Sequence, residues 1–172
     1  MEPEILLKKM KDISYGWLDK DDVIHNDITP YFVQNYRLQS ADEVWQSKTG
    51  VCWDQVEVQR EFFLKENYNF KTMAIIYYDD KESPTHTFLI YQDKEEWHWF
   101  EHSWHDYRGI HKYTDKKALL IDVQTKFIKS IAFKKDYKNL CFYEYSKPKS
   151  GIGCQEFYKH CEAGINVRID EA

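Results

Sequence analysis

The sequence contains no long apolar run. No stretch approaches the roughly 20 consecutive apolar residues that a bilayer-spanning helix needs. The first residues, from Met1 to Glu4, lack the basic start and apolar segment of a signal peptide. We therefore expect a cytoplasmic protein without a membrane partner. In that compartment the four cysteines should be free thiols, so each is a candidate for a chemical role.

A basic excess is also absent, since the formal net charge is −5. Nucleic-acid-binding domains usually carry a strong positive charge, so we expect no DNA or RNA partner. Lysines do gather between residues 112 and 138, but Asp115, Asp122 and Asp136 alternate with them. Residues 116–133 have the pattern of an amphipathic helix, and a solvated helix face explains these lysines better than a phosphate-binding surface.

Motifs for nucleotide or metal chemistry are few. No Gly-rich phosphate loop and no G-x-S-x-G motif occurs, so nothing supports nucleotide hydrolysis or serine esterase chemistry. Residues 98–102 fit the zinc-peptidase pattern H-x-x-E-H, but that pattern requires a helix. Residues 96–104 alternate as in a strand, where positions four apart lie about 13 Å from each other. We expect no metal and no cofactor, with a zinc site as the weaker alternative.

The length and the periodicity predict one compact domain. A chain of 172 residues suits a single core. Apolar spacing or capping signals predict helices at residues 4–13, from Ser40, at 51–65, 116–131 and 155–163; β-rich segments predict strands at 70–78, 85–92, 96–104 and 139–145. Residues 28–36 are predicted to be irregular. Helices followed by clustered strands indicate an α+β domain with N-terminal helices packed on an antiparallel sheet.

Cys52 is the strongest candidate nucleophile. It follows Gly50 by two residues, in the first turn of the helix predicted at 51–65. A helix N-terminus and a nearby imidazolium both lower the pKa of a cysteine, and free N–H groups there can stabilise an oxyanion. The alternative is a small buried hydrophobic side chain, which is the better explanation for Cys141 in its apolar strand-like segment.

His86 and Glu101 are the candidate partners of this thiol. A hairpin with a two-residue loop at Asp93-Lys94 pairs His86 with Glu101, Phe88 with Trp99 and Ile90 with Trp97. A four-residue loop keeps the two on one face, whereas a three-residue loop separates them. A carboxylate at one ring nitrogen fixes the imidazole tautomer and leaves the other nitrogen free to accept the thiol proton. A surface His–Glu pair is the simpler alternative.

These motifs resemble the transglutaminase-like superfamily over roughly residues 40–105. The resemblance consists of Thr49-Gly50-Val51-Cys52-Trp53 at a helix start, His86-Thr87-Phe88 at a strand start, and Glu101 on the next strand. It implies one transglutaminase-like domain over residues 1–172 with the architecture of papain-like cysteine proteases. Cys52 would then be the nucleophile, His86 the base and Glu101 the acid that orients it. The family commonly has aspartate as the acid, so Asp106 is a reserve candidate.

The same resemblance implies an oxyanion donor upstream of the cysteine. Gln46 precedes Cys52 by six positions, as a glutamine does in papain-like proteases, and Trp45 is a second candidate. Packing on a short helix explains either residue equally well. The expected function is hydrolysis of a peptide or isopeptide-like amide in a protein or peptide substrate, through a thioester. Transglutaminase-type amine transfer and a non-catalytic peptide-binding module are the alternatives.

Overall fold

Six antiparallel strands form the central sheet of the computed structural model, which describes residues 1–131 and 136–172. These strands are β3 (Asn69–Tyr77), β4 (Thr85–Asp93), β5 (Glu96–Glu101), β6 (Gly109–Tyr113), β7 (Leu140–Glu144) and β8 (Ile165–Val167). They lie in the order β6-β5-β4-β3-β7-β8. Two short strands, β1 (Trp17–Leu18) and β2 (Ile24–His25), pair separately near the N-terminus.

The described residues contain six α-helices. They are α1 (Pro3–Met10), α2 (Pro30–Asn35), α3 (Ala41–Ser47), α4 (Cys52–Lys65), α5 (Lys116–Ser130) and α6 (Cys154–Glu162). None of them is both long enough and apolar enough to cross a bilayer. Helices and antiparallel strands together make one α+β domain, as the sequence predicts at this coarse level.

Helices cover both faces of the sheet, because the central strands are apolar on both sides. Ala74 and Ile76 of β3 pack with Val56 of α4, in a cluster that also includes residues of α2 and α6. Their neighbour Ile75 faces the opposite side and packs with Val123 of α5. The N-terminal helices therefore lie on one face, as predicted, and α5 covers the other.

Local capping signals place the helix that begins at the candidate cysteine. Ser40 accepts a hydrogen bond from the backbone N–H of Glu43, and the Glu43 carboxylate accepts one from Ser40, so α3 starts with the predicted capping box. Lys48 then adopts a left-handed conformation with φ 55° and ends the helix. Helix α4 starts at Cys52, so the predicted position of the cysteine in a first turn is confirmed.

The β4–β5 hairpin has a different register from the predicted one. Its loop is Lys94-Glu95, where Lys94 has φ 56°, and Ile90 pairs with Trp99 instead of Trp97. If this register is continued, His86 lies diagonally from Glu101, and the predicted direct pairing is wrong by two residues. A shift of two positions preserves the face of every side chain, so the two residues still share a face.

Three other boundaries differ from expectation. Residues 28–36 are not irregular throughout, because Pro30 is the first residue of α2, a position where proline needs no N–H donor. The strand predicted at 96–104 ends at Glu101, and β6 follows it without having been predicted. The amphipathic run at 116–133 forms α5 as far as Ser130, and its last two residues lie outside the described part of the chain.

Candidate active site

Cys52 is the first residue of α4, and its side chain is only 5% exposed. The turn before it is held by the buried carboxylate of Asp54, which accepts a hydrogen bond from the backbone N–H of Val51 at 3.0 Å. The first N–H groups of a helix have no partner within the helix. The thiol therefore lies beside free backbone donors at the positive end of a helix dipole.

His86 and Glu101 lie at one end of the sheet. His86 is the second residue of β4 and Glu101 is the last of β5, and these ends are adjacent because the strands are antiparallel. Nε2 of His86 donates a hydrogen bond to Oε2 of Glu101 at 2.7 Å, and both side chains are buried. The bond leaves Nδ1 of His86 as the nitrogen available to another partner.

The other carboxylate oxygen of Glu101 is held as well. Oε1 accepts hydrogen bonds from the backbone N–H of Trp104 at 2.9 Å and from the hydroxyl of Ser103 at 3.1 Å. Three donors thus fix the carboxylate, which is 2% exposed. These hydrogen bonds fix the orientation of the buried carboxylate, so it can hold the imidazole in one tautomer.

Charge controls the protonation of this pair. Burial alone would lower the pKa of His86, but the charge of Glu101 and hydrogen bonding with Cys52 and Glu101 raise it to about 10. Burial would raise the pKa of Glu101, but the charge and hydrogen bond of His86 lower it. His86 is therefore an imidazolium beside a carboxylate at neutral pH.

The thiol of Cys52 also acts on His86, since hydrogen bonding with Cys52 and its charge both raise the pKa of the imidazole. The structure thus brings together Cys52, His86 and Glu101, the three residues selected from the sequence. Such a row of thiol, imidazole and carboxylate can transfer a proton from sulfur to the ring and can generate a nucleophilic thiolate.

A cavity of about 350 Å³ opens beside the imidazole. His86, Trp104 and Phe127 line it together with Tyr15 and two serines, Ser103 and Ser130. The ring of Trp104 meets that of His86 edge to face, with centroids 5.1 Å apart. A bound group would therefore lie against aromatic walls and next to the candidate base.

Tyr15 is a site residue that no sequence motif indicated. Its side chain is 47% exposed, and it shares the cavity wall with His86. Burial of the hydroxyl and the nearby charges of Cys52 and Asp54 raise its pKa far above the ordinary value, and hydrogen bonding with Cys52 adds to this shift. Trp104 and Asp54 were also missed. Asp54 has a local signal, since it stands three residues after Val51 at a helix start.

The remaining candidates from the sequence lie elsewhere. Gln46 is exposed on α3, and among the described side chains it has no hydrogen bond to the thiol, imidazole or carboxylate, so its oxyanion role stays a prediction. Trp45 lines a larger groove of about 750 Å³ between α1 and α4, which includes none of those three residues. Asp106 is exposed and lies near His105, and Glu101 holds the position beside His86.

The other cysteines have different surroundings from Cys52. Cys154 and Cys161 are buried in α6, where burial raises the pKa of Cys154 to about 11 and that of Cys161 further. Cys141 is partly buried in β7. No disulfide joins the four thiols, each of which is described.

The arrangement around the H-x-x-E-H sequence differs from that of a zinc peptidase. His98 and Glu101 belong to strand β5 and not to a helix, and the His98 ring stacks on Tyr91 at 4.7 Å on the face opposite Glu101. Within residues 1–131 and 136–172, no three His, Cys, Asp or Glu side chains are grouped in a way that could hold a metal ion.

Comparison with known proteins adds no assignment. No family model matches the chain, and no curated protein matches its sequence.

Proposed function

We propose that this protein is a cysteine-dependent acyl-transfer enzyme that hydrolyses a peptide or isopeptide-like amide through a thioester. One observation carries the proposal. The imidazole of His86 is hydrogen-bonded to Glu101 at 2.7 Å, and its pKa responds to the thiol of Cys52 at the start of α4. A base that is oriented by an acid and placed next to a nucleophile is the signature of covalent catalysis.

The acylation step follows from these positions. Nδ1 of the His86 imidazolium holds the proton that Cys52 has given up, and the deprotonated Sγ attacks the substrate carbonyl carbon. The carbonyl electron pair moves to oxygen, which becomes an oxyanion beside the free N–H groups of the first turn of α4. When the oxyanion collapses, the C–N bond breaks, and His86 returns the proton to the leaving amine. The acyl group remains on Cys52 as a thioester.

Deacylation repeats these roles. His86 removes a proton from water, the hydroxide oxygen attacks the thioester, and the sulfur leaves with a proton from the imidazolium. A primary amine in place of water would give transglutamination with the same proton transfers. Glu101 does not gain a proton in either step, because it stabilises the charged ring and holds its orientation.

The cavity supports a substrate whose acyl portion carries no positive charge. Trp104 and Phe127 provide flat apolar surface, while Tyr15, Ser103, Ser130 and Thr85 provide hydroxyl groups. None of the described lining residues carries a carboxylate, an ammonium or a guanidinium. A cationic group would lose hydration there and would lie beside the His86 imidazolium without an anionic partner.

The order of the site residues along the chain supports the transglutaminase-like architecture as part of this proposal. The cysteine starts a helix, the histidine follows at a strand start, and the acid ends the next strand, as in that superfamily. This architecture needs an imidazole at the end of an inner strand close to a helix N-terminus, and His86 lies at the start of β4.

Selective alkylation tests the thiol. At pH 6, iodoacetamide should modify Cys52 much faster than Cys141, Cys154 and Cys161, because an imidazolium beside a thiol favours the thiolate. Peptide mapping by mass spectrometry gives the four rates. In the His86→Gln variant, Cys52 should no longer react faster than the other cysteines. Cys141→Ser removes a thiol outside the site, so in this control Cys52 should still react fastest. Slow and equal labelling of all four would instead support a peptide-binding module without chemistry.

Turnover tests the reaction itself. A library of fluorogenic peptide amides with uncharged acyl residues should be cleaved by the wild type and, by acid-quenched mass spectrometry, should leave an acyl group on Cys52. The Cys52→Ala and His86→Ala variants should lose at least about 10³-fold in kcat/KM. Full activity of His86→Ala would disprove the mechanism. Added cadaverine distinguishes hydrolysis from amine transfer, because only the latter incorporates it into the product.

A further inference from the structure

The segment that carries Tyr15 is fixed to the start of the candidate cysteine helix. Ser14 forms a parallel bridge with Thr49, in which its N–H donates to the carbonyl of Lys48 at 2.8 Å and its carbonyl accepts from Gly50 at 3.1 Å. Gly50 lies two residues before Cys52. The backbone immediately before Tyr15 is therefore fixed to the same turn that positions the thiol.

The residue on the other side of Tyr15 is equally constrained. A Cβ at Gly16 would lie 2.7 Å from the carbonyl oxygen of His25 and 2.9 Å from Cγ2 of Thr49. Such close approach leaves no room for a side chain, so the segment lies tightly between β2 and the residues before α4. Tyr15 is held in place by backbone contacts even though its own side chain is half-exposed.

The hydroxyl of Tyr15 has the properties of a hydrogen-bond donor for the reaction. Burial and the neighbouring charges of Cys52, Asp54 and Glu101 raise its pKa, so it stays protonated across the working pH range. Its pKa also responds to the thiol of Cys52, and its side chain lines the cavity together with His86. A donor that lies near Sγ before the reaction lies near the carbonyl oxygen once Sγ has bonded to the carbonyl carbon.

We propose that the Tyr15 hydroxyl is an oxyanion donor of the acyl-transfer reaction, acting with the backbone N–H of Cys52. The inference rests on the proposed function and assigns a role for which Gln46 has no observed contact. In the resting protein the Tyr15 side chain lies on the cavity wall beside His86, and during attack its hydroxyl donates to the oxygen on which negative charge develops. The oxyanion then has one side-chain donor and one backbone donor from the first turn of α4.

The test compares two reactions of the same thiol. Acylation by p-nitrophenyl acetate passes through an oxyanion and releases p-nitrophenolate, whereas alkylation by iodoacetamide displaces iodide at a saturated carbon and forms no oxyanion. For Tyr15→Phe, the single-turnover acylation rate of Cys52 should fall by about 10²-fold. The alkylation rate should change by less than about threefold, which also shows that the variant is folded with its thiol in place.

Tyr31→Phe is the matched control, since Tyr31 is another half-exposed tyrosine near the N-terminus but is not among the residues that line the cavity. It should leave both rates unchanged. Equal loss of acylation and alkylation in Tyr15→Phe would show that Tyr15 only positions the thiol, and unchanged acylation would show that it has no role. Either result overturns this inference alone. If the wild type releases no burst of p-nitrophenolate, the proposed function fails and the inference fails with it.

Discussion

The hydroxyl of Tyr36 donates a hydrogen bond to Oδ1 of Asp54 at 2.8 Å, and this buried contact connects the end of α2 to the first turn of α4. The same oxygen accepts from the backbone N–H of Gln39 at 2.9 Å. Burial raises the pKa of Asp54 to about 7, although these hydrogen bonds act in the opposite direction. One carboxylate thus joins three segments around the residue that precedes Cys52.

Replacing Asp54 by alanine should destabilise the protein strongly. The change leaves the hydroxyl of Tyr36 and the N–H groups of Gln39 and Val51 without their acceptor in a buried site. Unpaired buried donors cost about 1–3 kcal/mol each, so we expect a loss of about 3 kcal/mol or more in the free energy of unfolding. Urea denaturation followed by circular dichroism measures it.

Asp42→Ala provides the comparison for that experiment. Asp42 also lies in the first turn of a helix, α3, but its side chain is exposed. Its removal should cost less than about 1 kcal/mol, the usual value of an acid at a helix N-terminus. A similar loss in both variants would mean that the Asp54 network adds nothing beyond a helix-dipole effect.

A second buried connection joins the end of β5 to the same turn. Nδ1 of His102 donates to Oε1 of Gln55 at 2.6 Å, and Nε2 of Gln55 donates to the carbonyl of Gly50 at 2.7 Å. Burial and the charge of Arg108 lower the pKa of His102 to about 4, so the ring is neutral. Because the Gly50 carbonyl can only accept, the amide orientation of Gln55 and the tautomer of His102 are both determined.

Gln55→Leu should therefore cost about 2 kcal/mol of unfolding free energy, because it leaves the Gly50 carbonyl and the His102 N–H buried without partners. Gln59→Leu is a suitable control in the same helix, since the buried Oε1 of Gln59 has no partner among the described residues. That variant should be neutral or slightly stabilising. Both variants replace a buried glutamine of α4 by leucine, but only Gln55→Leu removes a hydrogen-bonded connection. Thermal or urea unfolding compares their unfolding free energies directly.

The sequence predicts the parts of this site that depend on local patterns. The capping box at Ser40, the helix start at Cys52 and the shared face of His86 and Glu101 all follow from spacing. The hairpin register does not, because the loop uses a lysine, Lys94, in a left-handed conformation that lysine rarely adopts. The observed register differs from the predicted one by two residues, so each side chain stays on its predicted face of the sheet and only its cross-strand partner changes.

Tyr15 lies beyond what local patterns can predict. Its position depends on a bridge between Ser14 and Thr49, which are distant in the sequence and contribute only single residues to the pairing. The spacing of apolar residues along the sequence cannot predict such a contact. The helix at Pro30 is hard to predict for another reason, since proline interrupts the interior of a helix but favours its first turn.

The ion pair of His86 and Glu101 predicts how stability depends on pH. The folded-state pKa of His86 is raised from 6.5 to about 10, so between these values His86 holds a proton in the native protein that it lacks in the unfolded chain. The stabilisation is complete below pH 6.5 and is lost as the pH rises through 10. Its slope should be at most about 1.4 kcal/mol per pH unit. The pKa of Glu101 is lowered, so its own contribution is lost instead as the pH falls below about 4.5.

Urea denaturation from pH 7 to 9 measures this slope, and Glu101→Gln should reduce it, because a neutral amide no longer raises the pKa of His86. The buried Cys154 also contributes near pH 9, because burial raises its pKa from 9.0 to about 11. The quantity to compare is therefore the difference in slope between the variant and the wild type. Glu96→Gln removes an exposed carboxylate from the same strand and should keep the wild-type slope. If Glu101→Gln also keeps it, His86 is not a buried imidazolium at neutral pH, and the charge state assigned to the candidate base is wrong.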